Sequence, residues 1–351
     1  MAVRSAARRL SSTPPPLPVT LADVREAARL LSGVVLRTPL LSSAALDARA
    51  GVRARLKCEH LQPTGSFKFR GAAHAVLRLP PDAAARGVVA HSAGNHGAAL
   101  AAAAAARGLR CVVAIPHDAP AAKEENVARY GARVRRCDPS ARAAVAAEEA
   151  AAMGGAAVVP PYDDAAVIAG QGTMALELLE EAPRLDAILV PVSGGGMLGG
   201  VAAAARALAP RVRVIAVEPA GKRLGEALAK GERVVDAARA GVPLRTCADA
   251  IRTQALGELP WALAQQLVDR AVLSVDDEEI AAAMRFAMTE LKQVLEPAGA
   301  VTIAALCSPG FAALRDEAAA AGRPLKEVAA ILCGGNIDPE SLHAIVSRAR
   351  S

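Results

Sequence analysis

Glu59-His60-Leu61-Gln62-Pro63-Thr64-Gly65-Ser66-Phe67-Lys68-Phe69-Arg70-Gly71-Ala72 is the stretch that decides how the chain is read. It sets a lysine in an apolar strand-to-helix turn between two phenylalanines, a poor place for a solvated surface charge. Desolvation disfavours the ammonium, lowers its pKa and frees the amine for covalent work such as Schiff-base formation. A lysine whose stem covers apolar surface while its head snorkels to water fits the same residues. The stretch alone supports both readings equally, and the rest of the chain decides between them.

Three further motifs follow in chain order. Ser92-Ala93-Gly94-Asn95-His96-Gly97 comes after the apolar run Val88-Val89-Ala90 and opens an alanine-rich helix. Pro191-Val192-Ser193-Gly194-Gly195-Gly196-Met197 follows Ala187-Ile188-Leu189-Val190 and opens another. Ile331-Leu332-Cys333-Gly334-Gly335-Asn336 follows Val328-Ala329-Ala330. Each is a strand followed by a turn of small residues. Consecutive glycines let backbone N–H groups converge on an anion, and a helix N-terminus behind them adds partial positive charge. The triple glycine lacks both the Lys-Ser/Thr pair of a nucleotide phosphate loop and the spacing of a dinucleotide fingerprint. It suits a single phosphate monoester. A plain flexible turn is the alternative for the glycines taken alone.

Taken together, the motifs resemble those of the fold type II pyridoxal-phosphate enzymes, in the serine/threonine dehydratase and serine racemase branch. The resemblance runs from about Leu21 to Arg348 and rests on Ser66 to Ala72, Ser92 to Gly97, Ala169-Gly170-Gln171-Gly172-Thr173, Ser193 to Met197 and Cys333 to Asn336. It implies a two-lobed α/β fold (tryptophan synthase β-like), with open, twisted, mostly parallel sheets and flanking helices. A large lobe formed by 17–84 and 161–351 would carry a small lobe, 85–160, inserted in it. The strand–helix alternation of the sequence points independently to doubly wound α/β architecture with ligands at strand C-terminal ends. Helices are expected at 21–31, 67–79, 95–107, 120–130, 140–153, 165–181, 197–209, 277–292 and 297–307. Strands are expected at 54–59, 88–91, 110–115, 156–159, 187–192, 212–217 and 328–333.

The resemblance also implies a chemistry. Lys68 would hold pyridoxal 5'-phosphate as a Schiff base and, once released, act as the base at Cα. Phe67, Asn95, Cys333 and the loop Ser193, Gly194, Gly195, Gly196, Met197 are the expected cofactor contacts, with Asn95 donating to the 3′-oxygen. N–H groups around Ser92, Ala93, Gly94 and His96, at a helix start, suit a substrate carboxylate; a tight turn with a helix cap has the same geometry without the ligand. Cys333 falls where the family places a neutral group facing the pyridine nitrogen. A thiol there leaves the ring a moderate electron sink, which we take as a hypothesis for elimination over transamination. A Cys333→Asp variant with an unchanged product profile would count against it.

These features imply a lyase that converts L-serine or L-threonine to pyruvate or 2-oxobutyrate and ammonia. Serine racemase and hydroxyaspartate ammonia-lyase are the alternatives on the same scaffold. A racemase of this family needs a second acid/base, a serine just before the glycine of Gly94-Asn95-His96; here that residue is Ala93. Pro160-Pro161-Tyr162-Asp163-Asp164 also resembles the dehydratase form of its segment. A non-catalytic protein that has kept the fold is the third reading, opposed by intact Lys68, Asn95, glycine loop and Cys333. Related racemases of mammalian type bind a divalent ion through a glutamate, a carbonyl and an aspartate. Glu218 matches the first, but Lys222 and Leu224 stand at the other two, so no metal is expected. Arg142 reads as a solvated helix arginine, and Ala250 replaces a usual glycine beside the substrate. No isoleucine-sensing domain follows the Cys333 motif, so feedback inhibition of that kind is not expected.

Composition agrees with such an enzyme. The 351 residues are 53% hydrophobic, enough for a large core and two lobes. The net charge of +6 is spread without a basic-aromatic strip, which argues against nucleic acid. No segment has the length and apolarity of a membrane span, and the resemblance implies a homodimer. The six cysteines show no C-x-x-C spacing and fit a reducing compartment. Residues 1–16 are a basic tail or short transit peptide ending in Pro14-Pro15-Pro16, so a cytoplasmic, mitochondrial or plastid location is expected.

Overall fold

Apolar runs bounded by turn residues become the strands. The structure, a computed structural model, describes residues 15–92, 94–117, 121–233 and 242–348; residues 1–14 of the basic tail and Ala93 lie outside the described residues. The strands are β1 (Leu40–Leu41), β2 (Arg53–Lys57), β3 (Val88–Ala90), β4 (Cys111–Pro116), β5 (Arg133–Cys137), β6 (Ala157–Val158), β7 (Ala187–Pro191), β8 (Arg213–Pro219), β9 (Val272–Val275) and β10 (Glu327–Ile331). They form a six-stranded sheet ordered β1-β2-β10-β7-β8-β9 and a four-stranded sheet ordered β5-β4-β3-β6. Every strand pair is parallel except β1 with β2. Covered by helices on both faces, strands such as Ala187-Ile188-Leu189-Val190-Pro191 are buried throughout, as parallel strands must be.

The expected helices are present, with ends shifted by a few residues, and further ones appear at Ala44–Ala50, Pro81–Arg86, Leu224–Lys230, Glu258–Leu267, Pro309–Ala320 and Pro339–Val346. β5 was not expected because Arg133-Val134-Arg135-Arg136 reads as a charged face. It is the edge of the smaller sheet, where Arg133 and Arg135 pair with Glu149 and Arg136 with Glu124. Charged side chains on an edge discourage pairing with another chain.

The motif Ala169 to Thr173 proves to be a packing device. It lies in the helix Ala165–Glu181, where a Cβ on Gly170 would come within 2.7 Å of the Arg70 carbonyl. A Cβ on Gly200, in the helix Gly196–Leu208, would lie 2.2 Å from the Ile168 carbonyl. Small residues thus let three helices approach closely beneath the strand ends, and the Gln171 side chain accepts from the Gly71 N–H at 3.1 Å. Among the described residues no single helix is long and apolar enough to cross a membrane.

Candidate active site

The turns that follow β2, β3, β7 and β10 open onto one cavity of about 750 Å³. Phe67, Lys68, Ser92, Gly94, Asn95, His96, Ser193, Gly194, Gly195, Gly196, Met197 and Cys333 all line it. Every described residue expected at the site is therefore gathered in one place, at the C-terminal ends of parallel strands.

Lys68 heads the helix Lys68–Leu77. Its ammonium donates to the Pro161 carbonyl at 2.6 Å and stands 5.1 Å from the centroid of the Phe67 ring. Burial pushes its pKa down to about 8, against the opposing pull of Cys333 and Glu296. Such a lysine reaches its free-amine form far more readily than an exposed one. The snorkelling alternative does not describe it, because the amine is desolvated and bound to the Pro161 carbonyl instead of being carried out to water.

A buried ionic network pins that helix. Arg70, fully buried, donates from Nε and Nη2 to Glu59 at 2.8 Å each. Its Nη1 and Nη2 reach Glu177 at 2.6 and 2.8 Å. Lys57 donates to Glu177 at 2.7 Å and Thr38 to Glu59 at 2.7 Å. Arg70 thus ties the first turn of the lysine helix to the 3-10 turn Glu59–Leu61 after β2 and to the helix Ala165–Glu181, two residues from Lys68.

The glycine loop owes its shape to its neighbours. Gly195 has φ +91° and caps the helix Gly196–Leu208, a left-handed conformation that suits glycine. A Cβ on Gly194 would lie 2.3 Å from the Tyr162 ring, so only hydrogen fits there. Tyr162 is held in turn: Asp163 accepts from the N–H groups of Glu258 and Leu259 at 2.9 Å each, and Asp164 caps the helix Ala165–Glu181. Free backbone N–H groups at the start of a thirteen-residue helix, with their partial positive charge, suit an anion such as a phosphate.

In the turn after β3, the Gly94 N–H donates to Ser92 Oγ at 3.4 Å. His96 is buried and faces the Val159 carbonyl through Nε2 at 2.8 Å. A carbonyl can only accept, so Nε2 carries the hydrogen and Nδ1 is an acceptor. Burial, with the nearby Lys68 charge, pushes the His96 pKa down to about 3, so the ring stays neutral. Asn95 begins the helix Asn95–Ala106. Its Nδ2 donates to Glu296 Oε1 at 2.7 Å, and its Oδ1 accepts from Asn336 Nδ2 at 2.7 Å. The Asn95 amide, which carries two hydrogens, also lines the cavity.

Glu296 was not expected from the sequence. It is a buried carboxylate in Leu295-Glu296-Pro297-Ala298, at the cap of the helix Pro297–Leu306, and it lines the cavity. Its one sequence signal is a lone acid set in an apolar helix start. Cys333, also buried, donates from Sγ to the Ala298 carbonyl at 3.2 Å. Burial and the Glu296 charge push its thiol well above the usual range, so it presents an uncharged group.

The remaining wall runs through Cys247, the 3-10 turn Asp249–Ile251 and Thr253. Ala250 faces the cavity there, as expected. Arg142 is exposed, as a helix-surface arginine should be, yet it lines the same cavity with Arg129 and Asn126. The mouth is therefore more basic than the sequence suggested.

An amine, a phosphate seat and an uncharged thiol around one cavity fit pyridoxal phosphate by the chemistry of the donors. Comparison with known proteins agrees. The family model for pyridoxal-phosphate dependent enzymes matches residues 31–334. The chain is 39% identical over 320 residues to a serine racemase of Oryza sativa subsp. indica, covering 90% of each. It is 37% identical over 331 residues to an L-threo-3-hydroxyaspartate ammonia-lyase of Saccharomyces cerevisiae, covering 93% of this chain and 96% of that one. The crystal structure of a T.th. threonine deaminase superposes with a TM-score of 0.80 at 38% identity, over 91% of this chain and 99% of that one. With its cavity, lysine and glycine loop in place, this chain belongs to the pyridoxal-phosphate dependent enzymes of fold type II, in the serine racemase and dehydratase family, and its cofactor is pyridoxal 5'-phosphate.

Proposed function

We propose that the protein is an L-serine/L-threonine ammonia-lyase. The observation that carries this reading is the turn after β3. Ala93 supplies no hydroxyl where the racemases of this family need one, and the neighbouring Ser92, which accepts the Gly94 N–H within its own turn, belongs to the side expected to bind the substrate carboxylate. Proton return on the face opposite Lys68, which racemisation requires, then lacks its group. Loss of the β-hydroxyl needs none there.

In this reading the backbone from Ser193 to Met197 would hold the cofactor phosphate and Lys68 its aldehyde group, with Asn95 and Cys333 as the further polar contacts to the ring. Bound pyridoxal phosphate supplies an electron sink at Cα. N–H groups from Ser92 to His96 seat the substrate carboxylate at the helix start. The free Lys68 amine takes the Cα proton. The electron pair of the broken Cα–H bond would become a Cα–Cβ double bond as the β-hydroxyl leaves as water, taking up the proton that Lys68 removed from Cα. The enamine released is hydrolysed to a 2-oxo acid and ammonia.

A second reading has its own support. Arg129 and Arg142 at the mouth suit a second carboxylate, which 3-hydroxyaspartate carries and serine lacks. The test is to incubate the holoenzyme with L-serine, L-threonine and L-threo-3-hydroxyaspartate, following 2-oxo acid and D-enantiomer by chiral chromatography. Oxo acid from serine or threonine without D-serine supports the proposal. Turnover confined to hydroxyaspartate moves the enzyme to the second reading. Substantial D-serine overturns the argument from Ala93.

A further inference from the structure

Lys222 is a buried lysine that the reaction does not use. It follows β8 and is only 5% exposed. Its ammonium donates to the Thr253 carbonyl and, at 3.2 Å, to the Gln254 carbonyl. These two carbonyls end the wall that contributes Cys247, Ala250, Ile251 and Thr253 to the cavity. The same segment continues to Leu256 and Gly257, which support the glycine loop. Gly257 donates to the Gly194 carbonyl at 3.0 Å, and a Cβ on Gly195 would meet Leu256 at 2.9 Å.

Beneath it lies Glu218, 3% exposed, with both carboxylate oxygens engaged by neutral donors. The Leu224 N–H reaches Oε2 at 2.9 Å and Ser274 Oγ reaches Oε1 at 3.0 Å. Glu218 lies near enough to favour the lysine's charge. A divalent cation needs several anionic or carbonyl oxygens and no neighbouring positive charge. Here the side chain at 224 is an alkyl group, and the buried Lys222 ammonium already supplies a positive charge close enough to interact with Glu218. The residues do not fit the divalent cation that related racemases of mammalian type bind.

We infer that the Lys222 ammonium is a built-in cation, which fastens the 247–254 wall of the cavity to the end of β8 and makes a bound divalent metal unnecessary in this chain. Lys222 is a positioning residue, acting on substrate through Thr253 and Gln254. The inference rests on the amino-acid site described above and not on which amino acid is the substrate.

The test has two arms. In the first, Mn²⁺ is titrated into wild-type holoenzyme and followed by electron paramagnetic resonance, with activity measured before and after chelation by EDTA. No bound Mn²⁺ and unchanged activity are expected; stoichiometric Mn²⁺ binding with activity lost on chelation overturns the inference. In the second, Lys222→Met and Lys222→Ala are compared in KM, kcat and cofactor absorbance. Loss of two charge-assisted hydrogen bonds should raise KM by about tenfold or more while the cofactor band persists. Added ethylammonium should lower KM again in Lys222→Ala but not in Lys222→Met, whose side chain fills the space. An unchanged KM in both variants overturns the inference, and the Mn²⁺ arm decides should neither variant fold.

Discussion

Asn95 and Glu296 meet across the seam between the two sheets, the Asn95 amide donating to the Glu296 carboxylate at 2.7 Å. One begins the helix after β3 of the four-stranded sheet, and the other caps a helix packed on the six-stranded sheet. Asn336, after β10, joins them by donating to Asn95 and to the Thr64 carbonyl. The contact therefore sets both the orientation of the Asn95 amide and the spacing of the two sheets at the cavity.

Replacing Glu296 by alanine should free that amide to rotate. A charge-assisted hydrogen bond contributes about 1.5–3 kcal/mol, so kcat/KM should fall roughly 10- to 100-fold. The visible band of the lysine-bound cofactor should remain, because the glycine loop is untouched and loss of the Glu296 charge only favours the free amine of Lys68. An unaltered kcat/KM in Glu296→Ala would show that Asn95 is held by Asn336 alone.

With Lys68 in its proposed role as the lysine that binds the cofactor, its depressed pKa predicts how the cofactor-free protein takes up pyridoxal phosphate. Only the free amine attacks the aldehyde, so the rate of band formation should rise with pH and reach its midpoint near pH 8. An exposed lysine would place that midpoint near 10.5. Glu296 favours the ammonium, so Glu296→Gln should move the midpoint lower still. The same shift bears on stability: between about pH 8 and 10.5 the unfolded lysine holds a proton that the folded one has lost. Stability of the cofactor-free protein therefore rises with pH across that window from this group. A midpoint near 10.5 in stopped-flow absorbance would remove the argument.

Arg70 should be among the costliest single substitutions in the chain. Replacing it by methionine keeps bulk but leaves Glu59 fully buried and Glu177 nearly so, both without their guanidinium. Breaking a buried ion pair from one side costs about 3–5 kcal/mol. Urea unfolding should show a loss of that size. A loss below about 1 kcal/mol, the range of an exposed pair, would mean the carboxylates find other partners.

Much of this was legible in the sequence, for identifiable reasons. Lys68, the glycine loop, Asn95 and Cys333 stand in turns directly after apolar runs, and in parallel α/β sheets those turns face the ligand. Glu296 escaped because a single acid before a proline has no spacing to mark it; only its burial among apolar residues reveals it. Arg70 lies inside a quoted motif, but its partners Glu59 and Glu177 are 11 and 107 residues away, a separation no local pattern encodes. The strand β5 was hidden by its arginines, since edge strands are read as surface. Tyr162 was quoted as part of a segment, but its contact with Gly194 depends on how two loops meet in space.

The order of strands in the larger sheet bears on how the protein is made. β10 is the last strand in chain order, yet it lies between β2 and β7, pairing with both. A chain leaving the ribosome N-terminus first carries all of β3 to β6 long before β10 and can complete the smaller sheet early. β2 and β7 must meanwhile wait with open edges for a partner that is more than a hundred residues behind β7. Pairing across such separations is slow, and unpaired edges are prone to aggregate. Synthesis of this enzyme thus passes through a long interval in which half the fold is finished and the sheet carrying Lys68 is still open. Chaperone demand belongs to that interval.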